Sequence, residues 1–213
     1  MEKTTLFIKK FMISQLILAI VYGISQAFKM FETTEGLSTS MFFFSAVYLI
    51  INYFLLKNAY KIKKTEELWY LLRLHEFGIA IYLILTLLML MDSDTWDLND
   101  WYTVFVIGIS FLSVLPLVIK AYGKKHPYVK GTISALFKGI PLLFLAYKIS
   151  QNGGGGLPWL ALLVAHVMTL MRIIHTLLAL KKDKESYRIR ATLYSEYFNE
   201  FSWLVVTIVW YIN

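Results

Sequence analysis

The sequence predicts an all-α integral membrane protein with seven transmembrane helices. Three observations carry that prediction: an apolar excess too large for one buried core, repeated runs of about 20 apolar residues, and basic loops confined to alternate connections. Of the 213 residues, 58% are hydrophobic and only 16% charged, and the mean hydropathy is +0.59. A soluble chain of this length would leave much of that surface facing water. Helices are expected rather than a barrel, because the alternating pattern of lipid-facing strands is missing and lipid offers unpaired backbone groups no partner.

The spans are expected near 8–28, 39–57, 71–91, 101–121, 132–149, 157–180 and 197–212, the last being the shortest. The N-terminal segment is positively charged and then apolar with no small-residue cleavage site, so it reads as a retained first helix. The chain contains no cysteine, which removes disulfides, thiolate metal sites and cysteine nucleophiles. Gly153 to Gly156 reads as a flexible loop, since the Lys and Ser or Thr of a phosphate loop do not follow it.

The net charge of +7 becomes informative once it is placed on the loops. Lys57, Lys61, Lys63, Lys64 and Arg73 flank the 2–3 connection, Lys120, Lys124, Lys125 and Lys130 the 4–5 connection, and Lys181, Lys182, Lys184, Arg188 and Arg190 the 6–7 connection. The opposite side holds Asp92, Asp94, Asp97 and Asp100 and the neutral glycine run. Basic loops mark the cytoplasmic face, so the N-terminus is expected inside and the C-terminus outside, the membrane being the plasma membrane if the source is prokaryotic. The same loops are read as topology signals with affinity for anionic headgroups, and not as a nucleic-acid surface.

A weak internal repeat divides the chain into a first triple-helix unit (1–92), a linker helix with its loops (93–130) and a second triple-helix unit (131–213). Gly36-Leu37 and Gly156-Leu157 open helices 2 and 6 and lie 120 positions apart, as do Lys61 and Lys181. His75-Glu76-Phe77-Gly78 and Asn199-Glu200-Phe201-Ser202 lie 124 apart, and Gly23 and Gly139 lie 116 apart. An odd number of spans separates the two units, so they share one orientation.

The segment Ser25-Gln26, Lys29 and Thr33 to Phe42 (T-T-E-G-L-S-T-S-M-F) resembles the signature of the PQ-loop clan, which includes SWEET sugar transporters, cystinosin-like amino-acid exporters and KDEL receptors. The resemblance implies three-plus-one-plus-three helices over the whole chain. The family's Pro-Gln pair is split here, Ser25-Gln26 keeping the Gln and Pro141-Leu142 the Pro. By the same resemblance, His75 and Asn199 would face one another across a central pocket. Leu115 to Lys120 offers a competing register for the motif. The family also usually places its N-terminus outside, whereas the loop charges here place it inside.

Ionisable groups within spans mark polar interiors, because each costs several kcal/mol (about 2.5–3.5 by insertion scales) in lipid. Glu76, Lys138, His166, Arg172, His175, Glu196 and Glu200 are the ones within or near membrane depth. Glu76 and Glu200 are expected near cytoplasmic helix starts, where a carboxylate also suits the helix dipole, and Lys138 is expected to snorkel toward the basic side. Arg172 and His175 share a helical face, as do Gln15, Tyr22 and Gln26. Gln26, Asn52, His75, Arg172 and Asn199 are therefore expected to line a substrate cavity. Glu76, Glu200, His166 and His175 are the gating or proton-coupling candidates, and Ser25 and Pro141 the hinges.

No cofactor or metal is expected. The four histidines (His75, His126, His166 and His175) show no paired spacing with Asp, no Asp lies within an expected span, and helix 7 lacks the lysine of a retinal protein. The expected function is secondary transport of a small polar solute such as a sugar or amino acid, not catalysis. The partners are the solute and the bilayer, with a homo-oligomer left open. A membrane receptor of the KDEL-receptor type and an intramembrane hydrolase using Glu and His are the alternatives.

Overall fold

The computed structural model describes residues 2–62, 64–91, 96–122, 127–182, 184 and 186–213, without the side chains of 2–8, 55, 114, 117–122, 127–131, 182, 187 and 188. Lys63, Asp92, Asp94, Lys124, Lys125 and His126 lie outside the described residues. The described residues form seven helices: α1 (Glu2–Glu32), α2 (Thr39–Ile62), α3 (Glu66–Leu90), α4 (Leu98–Tyr122), α5 (Pro127–Asn152), α6 (Trp159–Lys182) and α7 (Tyr187–Ile212). The order is the expected one, but each helix extends beyond its expected apolar run at one end or both. Caps and charged turns continue a helix past its hydrophobic segment. Thr65 caps α3 by accepting from the Leu68 amide (3.3 Å), ahead of Glu66 and Glu67 in the first turn. Ser186 caps α7 by accepting from the Ile189 amide at 3.4 Å. Helix α7 therefore starts ten residues earlier than expected, and α5 starts inside the segment 93–130 assigned to the linker.

Among the described residues, five helical segments are long and apolar enough to cross a membrane: Lys9–Glu32, Thr39–Ile62, Glu66–Leu90, Thr132–Asn152 and Trp159–Lys181. Helix α7 is not among them because Glu196, Asn199 and Glu200 interrupt its apolar face. The bundle wears its apolar groups outside. Ile13, Ile17, Ile20, Ile24, Phe28 and Phe31 follow one another along the exposed face of α1, and Trp101, Phe105, Ile109 and Leu112 along that of α4. Gln15, Gln26, Thr169, Glu196 and Asn199, by contrast, are buried.

Packing divides the helices into two groups of three. Helix α3 packs on both α1 and α2, and α7 on both α5 and α6, while the described residues of α1 and α2 make no close backbone approach. The groups meet where α1 packs on α6 and α2 on α5, and α4 rests on α5 with a smaller contact to α2. The closest approach is between α5 and α7: a Cβ on Gly139 would run into the Phe198 ring and the Ser202 hydroxyl, so only glycine admits this crossing. Helix α5 continues without a break through Pro141, which is buried.

One end of the bundle is closed by two interlocked loops. Gly36 (φ 72°) and Gly153 (φ 81°) both adopt the left-handed conformation, and a Cβ on Gly36 would overlap the Gly153 carbonyl. The Gly156 amide donates to the Glu35 carbonyl (2.8 Å), and Trp210 Nε1 donates to the Gly154 carbonyl at 3.2 Å. The glycine run is thus a packed, hydrogen-bonded turn and not a flexible tether, because its missing side chains are what let the α1–α2 loop, Glu35 and Trp210 approach. The two loops turn alike at a 120-residue offset: Thr33 and Gly153 amides donate to Lys29 and Ile149 carbonyls, and Leu37 and Leu157 amides to Thr34 and Gly154 carbonyls. Leu37 and Leu157 are both fully buried beneath them.

Beside this clasp, Asp100 ties three helices together. Its Oδ1 accepts from Ser38 Oγ and from the Ser40 amide (both 2.8 Å), supplying the start of α2 with a capping carboxylate from α4. Lys148 of α5 pairs with Asp97 (3.0 Å) and lies 3.8 Å from Asp100. Burial of the Asp97 carboxyl opposes ionisation, yet the Lys148 ammonium and the backbone amides of Asp100 and Asn99 outweigh it and hold the group below its ordinary value.

Candidate functional site

Halfway along the bundle the junction of the two helix groups is polar and charged. Arg172 enters from α6, Lys138 and Ser134 from α5, Glu196, Asn199 and Ser195 from α7, Gln15 from α1 and Tyr48 from α2. Glu196 is the hub. Its Oε2 accepts from Arg172 Nε at 2.9 Å, its Oε1 pairs with Lys138 Nζ, and its side chain is only 5% exposed. Placing one carboxylate between two cations offsets the desolvation that burial imposes on all three.

The surrounding groups orient that triad. Arg172 Nη2 donates to Thr169 Oγ1 (3.0 Å) and Nη1 reaches Gln15 Oε1 at 3.5 Å. Thr169 Oγ1 also accepts from Asn199 Nδ2 (3.1 Å), and Gln15 Nε2 donates to the Met168 carbonyl at 3.2 Å. Lys138 Nζ stands 4.8 Å from the centre of the Tyr48 ring, a cation–π contact. Ser134 donates to the Tyr48 hydroxyl (2.9 Å) and shares a 2.6 Å hydrogen bond with Ser195. Tyr22, whose buried hydroxyl makes no well-formed hydrogen bond, stands against Tyr82 with ring centres 6.0 Å apart.

A second polar group lies on the same α6–α7 seam, nearer the closed end. His166 Nδ1 is 2.7 Å from Glu200 Oε1 and its Nε2 is 2.8 Å from Thr207 Oγ1. The second carboxylate oxygen of Glu200 is buried without a hydrogen-bond partner. Glu200 therefore sits in mid-helix, fourteen residues into α7, and not at a helix start as expected. The correction follows from the Ser186 cap, which sets the helix origin farther back than the apolar run does.

The expected cavity residues are only partly brought together. Arg172 and Asn199 meet through Thr169. His75 is half-buried, bonds the Leu71 carbonyl of its own helix at 2.8 Å and lies within electrostatic reach of Lys138 and Arg172. Among the described residues α3 and α7 make no close backbone approach, and no hydrogen bond joins His75 to Asn199. Asn52 donates to the Tyr48 carbonyl one turn back in its own helix. Gln26 is fully buried but belongs to the clasp, donating to the Gly156 carbonyl at 2.9 Å. It is eleven residues, or about 16 Å of helix, from Gln15, which occupies the central position instead.

The remaining candidates lie elsewhere. Glu76 pairs with Arg73 one turn away at 2.5 Å and is about one-third exposed. His175 stacks on Phe11 (ring centres 4.5 Å apart). Ser25 lines a shallow outer groove with Ile24, Phe28 and Pro158. Lys138 does not extend toward the helix end as expected; its ammonium turns to the buried Glu196 carboxylate within the bundle. Sequence reasoning noted Lys138, Glu196 and Gln15 as polar groups within spans but did not place them at the site. Tyr48, Ser134, Thr169 and Lys148 were missed, as hydroxyls and one lysine carry no spacing signal of their own.

No family model, curated protein or solved structure matches the chain.

Proposed function

We propose that the chain is a membrane-embedded secondary transporter or facilitator for a small polar solute, working by alternating access between two parallel triple-helix units. The observation that carries this reading is the buried polar centre in which Arg172, Glu196 and Lys138 of the second unit face Gln15 and Tyr48 of the first, beneath a closed end. Charged groups at membrane depth mark solute or ion pathways unless they serve packing alone. A site at mid-height between repeats is where a rocking unit can expose it to either side in turn.

Three further features support the repeat. Each group of three has its third helix in the middle, the cross-contacts α1–α6 and α2–α5 exchange under a swap of the groups, and the loops that close the bundle turn alike at an offset of 120. Gly23 and Gly139 each sit where the first helix of a group packs on the third, against Ile81 and Phe198, although their offset of 116 places them one helical turn apart in depth. With the basic loops on the cytoplasmic side, the interlocked glycine end faces outward, and the described conformation is closed on that side.

The test is reconstitution of the full chain into liposomes with a mixed set of sugars, amino acids and organic acids inside, followed by assay of each for saturable counterflow. Counterflow of at least one solute, lost in the Arg172→Met variant, is the expected result. Permeability equal to empty liposomes for every class would remove the transport reading.

A further inference from the structure

We infer that the solute taken by the central site is a small organic monoanion whose carboxylate sits against the Nη edge of Arg172. The inference starts from a charge count. Among the described residues the centre holds two cations, Arg172 and Lys138, and one carboxylate, Glu196. The phenols Tyr48 and Tyr82 also stand near the two cations and bring hydroxyl groups, not carboxylates. His75, also in reach, adds no negative charge in either protonation state. Glu200 is one turn along α7 from Glu196 but pairs with His166 and not with either cation.

One positive charge is therefore left over at mid-height, where burying an unmatched ion costs several kcal/mol. Geometry says which cation can receive a ligand. Glu196 takes the Nε of Arg172, while among the described residues the Nη atoms hydrogen-bond only neutral oxygens, Thr169 Oγ1 at 3.0 Å and Gln15 Oε1 at 3.5 Å. The Gln15 contact is at the limit of a hydrogen bond, so exchanging it for a charge-assisted pair is favourable. Arg172 also keeps 31% of its side-chain surface exposed, against 14% for Lys138 and 5% for Glu196. A planar carboxylate matches the guanidinium fork, and a single charge balances the surplus. A phosphate ester would bring up to two charges and reverse the imbalance.

This deepens the transport reading and rests on it for the ligand's being a solute, but it is tested by binding, independently of flux. The full-length protein in detergent is titrated at pH 7 with acetate, lactate and benzoate, with their neutral amides, and with glycerol 3-phosphate, following thermal stability and tryptophan fluorescence. Carboxylates, and not amides, are expected to stabilise the protein. Charge counting then orders the variants: Glu196→Gln leaves two surplus positive charges and should tighten the carboxylates by at least about tenfold, whereas Lys138→Met leaves none and should weaken them as much. A merely structural role for the triad would not tighten anything. If Glu196→Gln does not fold, Lys138→Met, which keeps the Arg172–Glu196 pair, carries the test alone. Equal binding of amides and carboxylates, a preference for glycerol 3-phosphate, or a Lys138→Met variant with undiminished carboxylate affinity would overturn the inference. Carboxylate binding without counterflow of any solute would uphold the site and remove the transport reading. Counterflow of neutral solutes alone would do the reverse.

Discussion

Arg172 on α6 and Glu196 on α7 meet through a 2.9 Å bond in the middle of the bundle, and the same carboxylate holds Lys138 from α5. Three helices of one group are thus joined by a single acidic side chain. Removing the carboxylate strands two cations, while removing one cation leaves a matched pair. Glu196→Leu is therefore expected to cost about 3–5 kcal/mol and Arg172→Met clearly less, in reversible unfolding of the detergent-solubilised protein. Equal losses for the two would show that Glu196 is not the hub.

Gly36 and Gly153 face each other across the closed end, and they should differ in tolerance. A Cβ on Gly36 meets the Gly153 carbonyl, whereas one on Gly153 finds nothing nearer than Glu35 Oε1 at 3.7 Å. Gly153→Ala then carries only the left-handed backbone penalty of about 1–2 kcal/mol, and Gly36→Ala that penalty plus the clash. Thermal melts of the two variants should rank in that order.

The α5–α7 crossing offers a coupling test. Gly139→Ala drives a methyl group into Phe198, and shrinking Phe198 to Ala vacates the same space. The two changes should compensate each other by about 0.5–3 kcal/mol in a double-mutant cycle. Simple additivity would mean that the helices separate rather than touch.

Acid should loosen the Asp97–Lys148 contact in a defined direction. The folded state holds the Asp97 carboxyl below its ordinary value of 3.8. Its contribution is therefore complete above that pH and declines as the pH falls through the lower folded value. The stability gap between wild type and Asp97→Asn should be constant near neutrality and close only below about pH 4. A gap that closes between pH 6 and pH 5 would assign the effect to other groups.

Proton coupling, where it exists, should run through Glu200 and not Glu76. Glu200 is held by His166 with one buried oxygen unmatched, whereas Glu76 makes a local pair with Arg73 near the surface. In liposomes the pH dependence of flux should be lost in Glu200→Gln and retained in Glu76→Gln. Indifference of flux to pH and to both changes would remove the coupling.

Much of the helical order was legible because apolar run length is a local property. Seven runs separated by polar breaks foretold seven helices, and the basic loops marked one end. Helix ends were less legible, since Thr65 and Ser186 cap turns that lie outside the apolar runs. The candidate site was legible only in kind. Charged residues in apolar segments announced a polar interior, but spacing along one helix cannot say which helix stands opposite. Gln26 and Gln15 share a face of α1, and only the arrival of Gly156 at one and Arg172 at the other separates a clasp from a centre.

By itself the sequence determined that the chain is helical and apolar on its exposed surfaces, with basic residues gathered at alternate connections, because burial of apolar groups and local backbone hydrogen bonding act over neighbouring residues. The tertiary structure alone decided that Glu196 would hold Arg172 and Lys138 together and that the glycine run would lock against Gly36. Those contacts join residues 24 to 117 positions apart, and their existence depends on the packing of α5, α6 and α7 and on two loops meeting, which no local pattern encodes.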